Sequence, residues 1–137
     1  MKVFFDNCTS PTLATTVDGF VQHYGHSASH IKDLPCGRNA KDVEWIKMLG
    51  EDKSETWIIV TGDTRIQKNP AERAAFRQAH LRGFVLAPAY QKTPLNQQAS
   101  FLLWRWPDIE QFVKLTSAPF LFEVPMSKSS RIKQLPL

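Results

Sequence analysis

Apolar residues along the chain form short strand-like runs that alternate with stretches of helical spacing. The clearest run lies in residues 56–66, where β-branched and aromatic residues precede a polar turn that contains Asp63. Such a run predicts a strand buried on both faces. Residues 1–7 repeat the pattern, with Asp6 at the corresponding point. Ligands of open α/β sheets bind outside the carboxyl ends of the strands, so two neighbouring parallel strands would bring Asp6 and Asp63 together there.

The segments between the strand-like runs carry signals for helix starts and ends. Ser10 followed by Pro11 predicts the start of a first helix, and Gly25 predicts its end. A weaker strand is predicted over residues 27–34. After a loop rich in Pro and Gly, Asn39 is predicted to cap a second, short helix.

The second helix carries an acidic residue on its apolar side. Asp42 shares one stripe with Trp45, Ile46 and Leu49, at offsets of three, four and seven residues. Asp42 is therefore predicted to face inward, whereas Glu44 points the other way.

The remaining elements follow the same alternation. Asn69, Pro70 and Glu72 predict a third helix, with a cap, a proline at the first position and an acid at the third. Pro107 is expected to break or kink the last helical stretch. The further predicted elements are a strand over 84–87, helical segments over 93–106 and 109–115, and a strand over 120–124.

This alternation of strands and helices predicts an α/β fold with a largely parallel sheet and helices on both faces. At 137 residues, the chain is expected to form one domain, over residues 1–126, followed by a basic C-terminal tail over 127–137.

Composition narrows the setting and the partners. No apolar run approaches the roughly 20 residues of a membrane span, and no secretory signal is recognisable. Two cysteines, Cys8 and Cys36, match neither a disulfide framework nor a metal-binding spacing. These features favour the cytoplasm. The net charge of +4 favours an anionic partner such as nucleic acid.

Asp6, Asp42 and Asp63 are the candidate chemical residues, because all three are expected at one edge of the sheet. Clustered carboxylates repel one another, so a site built from them usually holds a hard cation such as Mg²⁺ or Mn²⁺. Such a cation can activate water for attack on a phosphodiester. Each aspartate could alternatively be an ordinary turn or cap residue.

Three short segments resemble the PIN-like domain family, and the resemblance extends in order over nearly the whole chain. Within it, residues 61–66 and 69–73 resemble the branch related to VapC toxins. The three segments are Phe4, Phe5, Asp6, Asn7, Ser10 and Pro11; then Asp42, Val43, Glu44 and Trp45; then Val60, Thr61, Gly62 and Asp63.

The resemblance implies a three-layer α/β/α sandwich and a metal-dependent endoribonuclease, the toxin of a toxin–antitoxin pair. It implies that Asp6, Asp42 and Asp63 ligate Mg²⁺ or Mn²⁺ and act in catalysis. It also implies substrate-binding positions at Asn7, Ser10, Thr61 and Arg65. The implied partners are RNA and a cognate antitoxin protein. A homodimer through exposed apolar positions such as Trp104 is a further hypothesis.

Arg65 departs from the family pattern, because related sequences often carry a further acid at that position. This departure leaves one alternative open, a non-catalytic module that binds nucleic acid or a protein partner. A metal-dependent phosphatase acting on a small substrate is a separate alternative. Asp33 could supply the missing acid if its loop folds inward. Five basic residues could hold RNA phosphates or be ordinary solvated charges: Arg38, Lys41, Arg65, Lys68 and Arg73.

Overall fold

The computed structural model describes all 137 residues and contains one six-stranded sheet with helices on both faces. The strand order is β2-β1-β3-β4-β5-β6, and only β6 runs antiparallel to its neighbour. The strands are β1 Lys2–Phe5, β2 Ser27–His30, β3 Trp57–Thr61, β4 Arg82–Leu86, β5 Phe120–Val124 and β6 Lys133–Gln134. The helices are α1 Pro11–Val21, α2 Asp42–Glu51, α3 Pro70–Gln78 and α4 Leu95–Leu115.

Two hydrophobic cores lie on opposite faces of the sheet, because successive side chains of a strand point to opposite faces. In β3, Ile58 and Val60 pack in the core under α1 and α4, whereas Ile59 packs in the core under α2 and α3. Phe4 of β1 stacks on Trp45 of α2 with ring centroids 4.6 Å apart. The predicted three-layer α/β/α sandwich with a mostly parallel sheet is therefore confirmed.

Local signals placed α1 and α3 correctly. The Ser10 hydroxyl accepts a hydrogen bond from the Thr12 backbone N–H, and Asn69 Oδ1 accepts two, from the N–H groups of Ala71 and Glu72. After α1 and a short 3₁₀ turn, Gly25 adopts the left-handed conformation with φ 78°. A residue without a Cβ adopts that conformation at little cost, so the chain turns toward β2 there.

Asn39 does not cap α2, which was a wrong prediction. The helix begins at Asp42, and its N-cap is Lys41, whose side chain makes no capping hydrogen bond. Asn39 instead lies in a turn closed by the hydrogen bond from the Ala40 N–H to the Gly37 carbonyl. The predicted second strand is also shorter than expected, since β2 ends at His30 and a 3₁₀ turn follows.

Pro107 does not break the last helix, because α4 is continuous from Leu95 to Leu115. Its buried residues Leu102, Trp106 and Ile109 pack in one core on both sides of the proline. The Trp106 indole also donates a hydrogen bond across Pro107 to Glu110. Burial of this apolar stripe offsets the missing backbone hydrogen bond.

The C-terminal residues contact the rest of the fold. Ile132 is buried in the core under α1 and α4, and β6 pairs with β5. Leu135 and Leu137 pack against the opposite core. No helix of this chain is both long enough and apolar enough to cross a membrane.

Candidate metal centre

The ends of β1 and β3 lie side by side at the carboxyl edge of the sheet. The two strands are parallel neighbours, with Phe5 opposite Val60. The residues that follow, Asp6 and Asp63, therefore enter the same region as predicted, and both side chains are largely buried there. This edge is where open α/β sheets bind ligands.

The hydroxyl of Thr61 joins the two aspartates. Thr61 Oγ1 donates a hydrogen bond to Asp6 Oδ2 and accepts one from the Asp63 backbone N–H, over 2.9 Å. Thr61 is completely buried. Its hydroxyl is thus engaged within the protein, and Thr61 contributes to the site by fixing the two acids relative to each other.

Burial dominates the electrostatics of Asp6. It raises the pKa of the Asp6 carboxyl to about 6, against hydrogen bonds from Thr61, Gly62 and Cys8 that lower it, and the Asp42 charge adds to the rise. The carboxyl therefore loses its proton at a higher pH than an exposed aspartate does. Asp6 and Asp42 are close enough for their charges to repel.

Three other carboxylates form a compact group. Asp42, Asp63 and Glu72 each offer one oxygen, and these oxygens lie within 4.8 Å of one another. Asp42 is the first residue of α2, with Oδ1 accepting a hydrogen bond from the Trp45 indole over 2.9 Å. The structure thus brings Asp42 and Asp63 together as predicted. Asp6 lies beside this group but is not one of its three members.

Glu72 completes the group from the first turn of α3. The pKa of its carboxyl is raised to about 7, first by burial and then by the Asp42 charge, a hydrogen bond with Asp42 and the Asp63 charge, while the Arg65 charge opposes the rise. Carboxylates that repel one another in this way make a favourable site for a divalent cation, which neutralises them.

Sequence reasoning recognised Glu72 only as the acid of a helix start and missed it as a member of the site. A signal was available, because the Asn69 cap fixes where α3 begins and Glu72 follows β3 by one loop. Asp33, considered as the further acid, is exposed and paired with Lys32 over 2.8 Å. The additional carboxylate beside Asp42 and Asp63 is Glu72 instead.

Arg65 stands directly at this group. Its Nε donates to Asp63 Oδ1 over 3.1 Å, as does its backbone N–H over 2.9 Å, while 82% of its side chain is exposed. The guanidinium thus neutralises part of the acidic charge and also reaches solvent, where an anionic ligand could meet it.

Asn7 and Ser10 occupy the loop between β1 and α1. Asn7 is exposed, donates to the Arg38 carbonyl over 2.7 Å and accepts from Arg38 Nη1 over 3.3 Å. Asn7 therefore holds Arg38 beside this loop. Ser10 is engaged as the cap of α1.

The other basic candidates divide into two kinds. Arg38, Lys41 and Lys68 are exposed and available to a ligand. Arg73 is half-buried, and its Nη1 donates to the Gln67 carbonyl over 3.3 Å. Arg73 therefore supports the loop that follows Asp63.

Cys8 is a poor nucleophile in this setting. Its pKa is raised to about 11, first by burial and then by the charges of Asp6, Asp63 and Asp42. Because the thiolate is the reactive form, a thiol that stays protonated at neutral pH does not support covalent catalysis.

Gln91 links the loop that carries Asp6 to the loop that carries Asp63. No local pattern in the sequence predicts this contact, because it joins segments that are distant along the chain. Its Nε2 donates to the Cys8 carbonyl over 3.0 Å and to the Gly62 carbonyl over 3.5 Å. Gly62 permits this approach, since a Cβ there would lie 2.6 Å from the Cys8 carbonyl oxygen and would also collide with Gln91. Buried Tyr90 anchors the segment through a hydrogen bond to the Pro125 carbonyl.

The Gln91→Ala variant is expected to bind Mn²⁺ about 10-fold more weakly, no more than the lower end of the range for outer-shell partners of metal ligands, because Gln91 contacts the carbonyls of Cys8 and Gly62 and not a ligand carboxylate. The reason is that the loops bearing Asp6 and Asp63 lose their common donor. Isothermal titration calorimetry with Mn²⁺ measures the effect. Gln97→Ala is the matched control, because Gln97 is an exposed residue of α4 whose side chain makes no hydrogen bond. Unchanged Mn²⁺ affinity in Gln91→Ala would refute this role.

Comparison with known proteins adds one positive finding. A family model described as a PIN-like domain matches residues 1–88, which is more than half of the chain. The matched range includes Asp6, Asp42, Asp63 and Glu72 and ends before Gln91. No curated protein and no solved structure matches the chain.

Proposed function

Since the chain belongs to the PIN-like domain family, we propose that it is an endoribonuclease that depends on Mg²⁺ or Mn²⁺. The observation that carries this proposal is the group of Asp42, Asp63 and Glu72, whose oxygens lie within 4.8 Å of one another. Oxygen donors from carboxylates are what these hard cations prefer, so the residues fit such a metal.

The four acids would form the proposed site together. Asp42, Asp63 and Glu72 would hold the cation, and Asp6 would add a fourth carboxylate beside them. When bound, the cation would supply charge stabilisation and a more acidic water for attack on the phosphodiester. Thr61 would keep Asp6 and Asp63 in register, through the two hydrogen bonds of its hydroxyl.

Exposed basic side chains around the acids would hold the RNA backbone. Arg65 reaches from Asp63 into solvent, and Asn7 holds Arg38 beside the same site. Lys41 and Lys68 are exposed on the adjoining loops. Contacts of this kind neutralise phosphates and make binding depend on salt. The net charge of +4 supports the same class of partner.

The finer assignment to a toxin of a toxin–antitoxin pair is part of the proposal. It is supported by the resemblance of residues 61–66 and 69–73 to the branch related to VapC toxins. A cognate antitoxin would then be the protein partner. Trp104, which is 59% exposed on α4, supports a homodimer contact as a further hypothesis.

A non-catalytic binding module is the second candidate, and one specific observation favours it. The Arg65 guanidinium pairs with Asp63, so a protein cation already neutralises one of the acids. If this pair persisted against a metal, the fold would bind an anionic partner without cleaving it.

RNA cleavage by the purified protein separates these candidates. Single-stranded RNA is expected to be cut with Mn²⁺ and to stay intact with EDTA. RNA that is bound but never cut would favour the binding module, and hydrolysis of p-nitrophenyl phosphate without RNA cleavage would indicate a phosphatase.

The Arg65→Gln variant tests the contact with substrate in the same assay. We expect the KM for RNA to rise by about 10-fold, since one phosphate contact is lost, and the dependence of binding on salt to weaken. Lys114→Gln is the control, because Lys114 is an exposed residue near the end of α4. An unchanged KM and salt dependence would exclude Arg65 as a phosphate contact.

A further inference from the structure

A groove lies on the helical layer that α1 and α4 form, between the C-terminal half of α4 and the segment that leads into β6. It has a volume of about 420 Å³, and none of the four acids of the candidate metal centre lines it. Ligand pockets commonly begin at about 300 Å³, so the space suits a small organic molecule.

A buried arginine forms the base of this groove. Arg105 is only 4% exposed; its Nε pairs with Asp108 over 3.0 Å, and its Nη1 donates to the carbonyls of Ser127 and Ser130 over 2.9 and 2.7 Å. Its Nη2 makes no hydrogen bond to a protein group and is not fully enclosed by the protein. Arg105 thus lines the groove and keeps one guanidinium nitrogen without a protein partner.

The rest of the lining combines positive charge, hydroxyl groups and apolar surface. Arg131 adds a second guanidinium, so the lining carries a net positive charge after Asp108 is counted. Phe112 and Leu115 form an apolar wall, and Leu115 is 78% exposed. The hydroxyl-bearing residues Thr116, Ser129 and Ser130 also line the groove, together with Gln111 and Ile132.

From this arrangement we propose that the groove binds a small organic anion, in which a phosphate or carboxylate group is attached to an apolar body. The anion meets the free Nη2 of Arg105 and the guanidinium of Arg131, and the apolar body covers Phe112 and Leu115. Guanidinium groups suit both anions, because their donors lie in one plane. This binding is independent of the proposed nuclease activity.

Phenyl phosphate and benzoate are the probes, because each joins an anion to an aromatic ring. In amide NMR titrations with EDTA present, both are expected to cause saturable shifts at Thr116 and Ser129, and the tighter probe identifies the anion class. Inorganic phosphate and phenol, which each lack one half of the proposed ligand, are expected to bind at least about 10-fold more weakly. Absence of saturable shifts, or equal binding of phenol, would overturn the proposal.

Substitutions at the mouth of the groove avoid disturbing the clamp that Arg105 forms. Leu115→Asp places a negative charge on an exposed position, and Arg131→Gln removes an exposed positive charge. Each is expected to weaken phenyl phosphate binding at least about 10-fold, which corresponds to the lower end for one charged contact. Lys114→Gln, an exposed neighbour outside the lining, should bind as the wild type does. Wild-type affinity in both mouth variants would refute the site.

Discussion

The Asp63→Asn variant is expected to fold normally yet to cleave RNA at least about 100-fold more slowly than the wild type with Mn²⁺, because loss of an outer-shell partner alone costs 10–100-fold. Asp63 belongs to the group, since its oxygen lies within 4.8 Å of those of Asp42 and Glu72. The amide keeps the shape of the side chain but removes the charge that attracts the cation. Cleavage of a fluorescent RNA and Mn²⁺ titration of the same preparation measure both losses.

Two further variants sharpen this result. Glu72→Gln should lose Mn²⁺ affinity as well, which identifies the α3 acid as part of the site. Glu44→Gln is the matched control, because Glu44 lies in the first turn of α2 but is exposed. If Asp63→Asn and Glu72→Gln cut RNA at the wild-type rate, these acids do not form the catalytic centre.

The metal-free protein is expected to lose stability between about pH 4 and pH 6 through ionisation of Asp6. The pKa of this carboxyl is about 6 in the folded protein, against the ordinary value of 3.8 that applies to the unfolded chain, so protonation favours the folded state. The stabilisation is complete below pH 3.8 and is lost as the pH rises through about 6. At about 1.4 kcal/mol per pKa unit, the free energy of unfolding falls by at most about 3 kcal/mol.

The comparison with Asp6→Asn isolates this contribution. His30 acts in the opposite direction, since burial lowers its pKa and its stabilising neutral form is lost as the pH falls. The His30 contribution is common to both proteins, so the difference between them reports on Asp6. Urea denaturation with EDTA measures the free energy of unfolding of both proteins at pH 4 and pH 7. From pH 4 to pH 7, the value for the variant should rise relative to that of the wild type by up to about 3 kcal/mol. A difference that does not change with pH would contradict the raised pKa.

Mn²⁺ should reverse part of the loss in the wild type at pH 7. A cation that binds only the folded state stabilises it by an amount that grows with the logarithm of its concentration over its Kd. The pKa of Glu72 is also raised, to about 7, so its ionisation destabilises the metal-free protein as the pH rises, as the ionisation of Asp6 does.

Much of the fold follows from local features of the sequence. The apolar runs of β1 and β3 specify buried strands, and the caps Ser10 and Asn69 specify where α1 and α3 begin. These features act between residues close in the chain, through backbone hydrogen bonds and the two-residue period of a strand. The inward side of α2 was predictable for the same reason, since helical spacing places Asp42 on the stripe of Trp45.

Pro107 and Asn39 show where local rules were overridden. A proline ends many helices, but burial of Trp106 and Ile109 on both sides of Pro107 keeps α4 continuous. Asn39 has a good capping side chain, yet it lies in a turn from Gly37 to Ala40, and α2 begins only at Asp42. In both places, the surrounding structure stabilises a conformation other than the one that the local residue preference favours.

By itself, the sequence determined the α/β fold class, the carboxyl edge of the sheet as the place of the candidate site, and the approach of Asp42 and Asp63. Only the tertiary structure decided that Glu72 joins these two aspartates and that Gln91 links the Cys8 and Gly62 carbonyls. The physical reason is geometric. The carboxyl ends of neighbouring parallel strands always lie at the same edge of a sheet. Whether α3 and the segment after β4 reach that edge depends on how the loops and helices pack.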